Sequence, residues 1–101
     1  MARFVNTKSI KTFQKNVTTS GTPVQLTAFA VPDGVVVVIK AKSANTGTIT
    51  VGGSSADALN SGTAHFKLTN NQSLSLQVAN TENIWIDSTV SSEGVEVALE
   101  Y

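Results

Sequence analysis

Along most of this chain apolar side chains recur at every second position, in short runs cut off by Asn, Gly, Ser, Pro and Asp. That alternation marks half-buried strands, because successive side chains on an extended backbone point to opposite faces. Phe13 and Val17 give a first strand; after the turn Ser20-Gly21-Thr22-Pro23, Val24, Leu26 and Ala28 give a second. Pro32-Asp33-Gly34 predicts another turn, since proline presets its backbone angle and glycine accepts a positive φ. The next run, Val35-Val36-Val37-Val38-Ile39, is wholly β-branched and suits a central strand apolar on both faces far better than a helix. Asn45-Thr46-Gly47 leads into a fourth strand, Thr48-Ile49-Thr50-Val51, and Gly52-Gly53-Ser54-Ser55 opens the longest loop. Ser55 to Leu59 is the one place that suits a helical turn.

A fifth strand carries Ala64, Phe66 and Leu68 on one face and His65, Lys67 and Thr69 on the other, the solvent side. Asn70-Asn71 turns it. Leu74, Leu76 and Val78 mark the sixth strand, and Ile84 and Ile86 around Trp85 mark the seventh. Beyond a turn at Ser92-Glu93-Gly94, the eighth holds Val95, Val97, Leu99 and Tyr101. Strands spaced about 8–12 residues apart predict an all-β domain: about eight short antiparallel strands in a two-sheet β-sandwich or jelly roll. Residues 1–11 have no clean period and are expected to form an extended N-terminal arm, with Phe4, Val5 and Ile10 to bury, leaving 12–101 as a single domain.

Composition narrows this further. A chain of 101 residues has room for one core, and with 41% hydrophobic and 14% charged residues it is too apolar for disorder and too sparsely charged for a coiled coil. The formal net charge of zero gives no global attraction to nucleic acid or to an anionic membrane, so neither is expected as a partner. Charge is nevertheless unevenly placed. Arg3, Lys8, Lys11 and Lys15 open the chain without an acid among them, and Glu82, Asp87, Glu93, Glu96 and Glu100 close it without a base. Such ends invite pairing within or between subunits. The longest apolar run falls far short of the roughly 20 residues of a membrane helix, and the start lacks the apolar core of a signal peptide, so synthesis in a cytoplasm is expected.

Residues suited to chemistry are scarce. Without cysteine there is no thiolate nucleophile or thiolate metal site. His65 is the one histidine, there is no Gly-x-Ser-x-Gly elbow, and an enzyme is not expected. Gly52-Gly53-Ser54-Ser55 lacks the lysine of a phosphate-binding loop, and Asp33, Asp57 and Asp87 are too far apart in sequence for a calcium loop; no cofactor and no metal are expected. Trp85 and Tyr101 could be buried at a subunit interface or serve as a platform for a sugar.

The segments Gly21-Thr22-Pro23-Val24-Gln25-Leu26, Gly34 to Lys42, Asn45 to Gly53, Leu68 to Leu74 and Asn83-Ile84-Trp85-Ile86-Asp87 together resemble small all-β virion proteins of tailed bacteriophages. Among these are capsid decoration, or cement, proteins and related head-fibre and tail modules. The likeness is one of layout and extends from about residue 13 to 101. It implies a homotrimeric knob on the outer capsid surface that fastens neighbouring major capsid subunits, with the major capsid protein and further copies of itself as partners. A neck or tail connector or fibre-base protein is the alternative, and a carbohydrate-binding module a further one. The arm would be the clamp: Arg3, Lys8 and Lys11 to pair with capsid acids, and Phe4, Val5 and Ile10 to fill grooves. That role rests on the arm's charge and apolarity, not on a family motif.

Overall fold

The period-two runs pair into two four-stranded sheets in the computed structural model of the chain, which describes residues 9–63 and 65–101. The strands are β1 (Ile10–Val17), β2 (Val24–Gln25), β3 (Val37–Ala41), β4 (Ile49–Gly52), β5 (Phe66–Leu68), β6 (Ser73–Leu76), β7 (Trp85–Ser88) and β8 (Glu93–Glu100). Each answers to one predicted run. The first sheet has the order β1-β8-β3-β6 and the second β2-β7-β4-β5, with every pairing antiparallel. Only the β4–β5 connection stays within one sheet; every other link crosses between them. This is the strand order of a jelly roll.

Alternation places Val17, Val37, Ile39, Val95, Val97 and Leu99 of the first sheet against Ile49, Val51, Leu68 and Ile86 of the second, all buried. Leu26 and Ile84 complete that core from positions just outside the ladders, where the Leu26 amide donates to the Ile84 carbonyl at 3.0 Å. Three turns fall where the sequence marks them. At Thr19–Thr22, Pro32–Val35 and Thr69–Gln72 the fourth residue's amide donates to the first residue's carbonyl, and the third residue has φ of 88° (Gly21), 80° (Gly34) and 68° (Asn71). Asparagine is among the few side chains that tolerate this left-handed region.

Three expectations shift. β1 begins at Ile10, paired with Glu100, and Lys11 pairs with Leu99, so the sheet takes in two residues assigned to the arm; residues 1–8 lie outside the described residues. The second strand is only Val24–Gln25, since β2 pairs with just Trp85 and Ile86 of β7. Glu93 and Gly94, expected in a turn, belong to β8. At Gly94 the requirement is space: a Cβ there would run into the Lys15 carbonyl and Asn16 of β1. The helical turn forms where expected, as α1 (Ser55–Ala58), with the Ser54 hydroxyl accepting from the Asp57 amide at 3.1 Å as its N-cap.

Candidate functional site

The outer face of the first sheet carries apolar side chains that nothing covers among the described residues. Register decides which they are. β3 lies between β8 and β6, with Val38 opposite Ala98 on one side and Ser75 on the other, while Thr12 faces Ala98 from β1. The outward row therefore reads Thr12, Ala98, Val38, Ser75, and the next row along the strands contains Gln14, Glu96, Lys40 and Ser73. The branched run is central in its sheet, as expected, but its outer side is bare: Val38 is 37% exposed, Val36 41% and neighbouring Ile10 68%. Two clefts run over this face. One, of about 610 Å³, is lined by Ile10, Val36, Val38, Ala98 and Glu100; the other, of about 640 Å³, by Thr12, Gln14, Val38, Lys40 and Glu96. Across the second, Lys40 Nζ stands 3.8 Å from the Glu96 carboxylate, the one ion pair among the described residues.

A second apolar opening lies between the sheets. β5 and β6 are the edge strands on the same side of the sandwich, and β5, three residues long, leaves the core open beside it. Phe66, opposite Val51, was expected to be buried with Leu68; it is 59% exposed at the mouth of a groove of about 360 Å³ lined by Val51, Leu74, Leu76, Val78 and Ile84.

By contrast, the outer face of the second sheet is covered from within the chain. Thr50 and Asp87 sit opposite each other on β4 and β7 and point outward, yet both are buried. The Asp87 carboxyl accepts backbone N–H bonds from Gly21 (3.0 Å), Asn60 (2.8 Å) and Ser88 (2.8 Å), while the Thr50 hydroxyl donates to the Ala58 carbonyl. Gly52 lets α1 lie close, since a Cβ there would strike the backbone of Asp57 and Ala58. Asn60 adds side-chain bonds to the Ser88 carbonyl (2.6 Å) and the Ser20 hydroxyl (3.2 Å). Alternation around buried Ile84 and Ile86 puts Asp87, with Trp85, on the outer side of its strand. No local pattern foretold that the 19–22 turn and the segment after α1 would close over it.

At one end of the sandwich Glu93 ties β8 to the β3–β4 turn, accepting from the Thr46 amide (2.7 Å) and hydroxyl (2.9 Å) and the Gly47 amide (2.8 Å). These bonds, the Thr46 amide foremost, hold its carboxyl below the ordinary value of 4.5 against a smaller opposing effect of desolvation. Beside it the Asn45 side chain donates to the Gly94 carbonyl at 2.9 Å.

The predicted site residues are dispersed. Of the docking set, Arg3, Phe4, Val5 and Lys8 lie outside the described residues; Ile10 lines the outer-face cleft, and Lys11 Nζ stands over the Phe29 ring, 5.4 Å from its centre. Tyr101 meets that ring edge-on at 5.4 Å and 65°, whereas Trp85 is half-buried on the outer face of the opposite sheet between Gln25 and Gly52, so the two aromatics belong to separate environments. His65, expected on the solvent side, is half-buried with Nδ1 3.0 Å from the Leu59 carbonyl. Among the described residues no group of three His, Cys, Asp or Glu side chains is placed to hold a metal ion, and no helix is long and apolar enough to cross a membrane. Compared with protein-family models, curated proteins and solved structures, the chain matches none of them.

Proposed function

We propose that this chain is a non-enzymatic structural protein of a bacteriophage virion: a decoration protein that self-associates, sits on the outer surface of the head and braces neighbouring major capsid subunits. The observation that carries this reading is the presence of two uncovered apolar surfaces on a small jelly roll, the outer sheet face around Val38 and the groove at Phe66. Exposed apolar surface of this kind marks interaction sites. A part held both to its own copies and to a lattice needs two. The sheet face serves the first contact and the Phe66 groove the second, and the layout likeness to small phage virion proteins supplies the class of lattice.

The test is to add the purified chain to expanded heads that lack it and measure co-sedimentation. Saturable binding to expanded heads, weakened in Phe66→Ser, is expected. Absence of binding to heads, with binding to purified tails or necks instead, would replace this reading with the connector one.

A further inference from the structure

We infer that β6 is the edge at which this protein takes up a strand: an extended, uncharged segment of the lattice partner pairs along Ser73–Leu76 and sets alternate apolar side chains into the Phe66 groove. This occupant presupposes the proposed contact between the groove and the lattice. The phase of the hydrogen bonds shows which backbone groups are free. The Ala41 amide donates to the Gln72 carbonyl at 2.9 Å, and in the same register Ile39 and Val37 stand opposite Leu74 and Leu76, so the odd residues of β3 bond to β6. On the other side of β3 the Lys42 amide donates to the Gly94 carbonyl at 3.1 Å, so the even residues, Val38 and Lys40, bond to β8. The N–H and C=O groups of Ser73 and Ser75, opposite Lys40 and Val38, therefore point off the sheet. No backbone group among the described residues pairs with them. The two serines stand about 7 Å apart along the strand, a spacing of donors and acceptors that another extended backbone matches.

The other three edges are guarded. β1 turns Lys11 and Lys15 toward its inner side, alternating with Phe13; β2 has two residues and follows Pro23; β5 has three, with Lys67 at its centre. Inward charges, proline and shortness are devices that keep an edge from pairing. β6 has neither charge nor proline, and no residue between Lys67 and Glu82 is charged. The groove then selects the segment. Leu74 and Leu76 are half-buried and alternate with exposed Ser73 and Ser75, so partner residues opposite the two leucines face inward, over a space of about 360 Å³. None of the residues lining that space is charged, so a charged side chain would lose its water there and gain no partner. A second copy does not meet the need. Pairing β6 with its twin sets two grooves mouth to mouth, and the leucines of each already line their own, which leaves an apolar void at a cost to stability. A segment from outside brings side chains that are free to fill it.

Amide hydrogen exchange of the full chain, free and bound to expanded heads, tests it. The Ser73 and Ser75 amides should exchange fast in the free chain and become protected on heads, while those of Leu74 and Leu76 are protected in both. Two substitutions separate backbone from side chain. Ser75→Pro removes an off-edge amide and no bond to β3, and should weaken head binding about tenfold or more; Ser75→Ala keeps the amide and should bind as the parent does. Circular dichroism confirms that both variants keep their sheets, and if Ser75→Pro does not, exchange of the parent decides. Heads bound with the Ser73 and Ser75 amides still unprotected, or bound as weakly by Ser75→Ala as by Ser75→Pro, would overturn strand uptake and leave the virion role standing. A parent that ignores heads would overturn the virion role and this occupant together. Protection that grows with concentration in the free chain, with a dimer in light scattering, would give the edge to a second copy and overturn the choice of partner.

Discussion

The two sheets of this sandwich treat their outer faces in opposite ways. On the second, Thr50 and Asp87 are polar and yet buried, because α1 and the 19–22 turn fold down over them and meet their hydrogen-bonding needs. On the first, Ile10, Val36 and Val38 are apolar and yet exposed. Simple partition would put the residues the other way round. The difference lies in where the covering material comes from. A polar face can be closed by backbone N–H groups of the same chain, which need acceptors wherever they are buried. An apolar face has no such call on a passing loop, and under the proposed function its cover comes from another subunit.

The contrast is broken most violently at Asp87. Replacing it with alanine would leave the amides of Gly21, Asn60 and Ser88 without their acceptor beneath a covered surface. The Ser88 amide is buried and those of Gly21 and Asn60 part-buried, so each loss falls toward the low end of the cost of stranding a buried donor, about 1–3 kcal/mol, and Asp87→Ala should destabilise the fold by about 3 kcal/mol. In a domain of this size that lowers the melting temperature by roughly 12 °C or more, measurable by calorimetry. A shift of only a degree or two would mean that water satisfies these amides and that the cover is loosely held.

Strand count, turn positions, the inner core and the one helical turn were legible in the sequence because each is a local property: period two, a proline–aspartate–glycine turn, a serine cap. The outer faces were not. The branched run at 35–39 announces a central strand, but exposure on its outer side depends on whether any segment crosses it, and none of the described residues does. Asp87 reads as an isolated acid because its partners are 66 and 27 residues away. Phe66 fits the inner face by alternation, yet it stands at the very start of a three-residue edge strand, where it is left exposed. Trp85 and Tyr101, the two aromatics that suggested a platform, are parted by the sheet crossings that place β7 and β8 in different layers.

Glu93 sharpens the comparison, as a carboxylate that links the layers without being enclosed by them. Its bonds to Thr46 and Gly47 favour the ionised form and hold its folded-state pKa below 4.5. A depressed folded pKa gives stability that is fully present above the ordinary value and is lost as pH falls through the folded one. The denaturant midpoint of the parent should therefore exceed that of Glu93→Gln near neutrality, and the two should converge as pH drops through and below 4.5. A constant gap across that range would show that the carboxylate's charge contributes nothing to the clamp.

The smallest effect on stability should come from the face that looks most out of place. Val36→Thr and Val38→Thr exchange one β-branched side chain for another, so strand preference is kept, and each side chain is already more than a third exposed. At concentrations dilute enough to keep the full chain monomeric, the melting temperature of the double variant should stay within what about 0.5 kcal/mol per site allows. At higher concentrations it should self-associate less than the parent, because the hydroxyls add a desolvation cost where the methyl groups made apolar contact. Reading both quantities on one protein separates a surface that holds the fold from one that holds a neighbour. A large loss of monomer stability would place the Val36–Val38 face among the fold's own supports, and the contrast between the two sheets would then disappear.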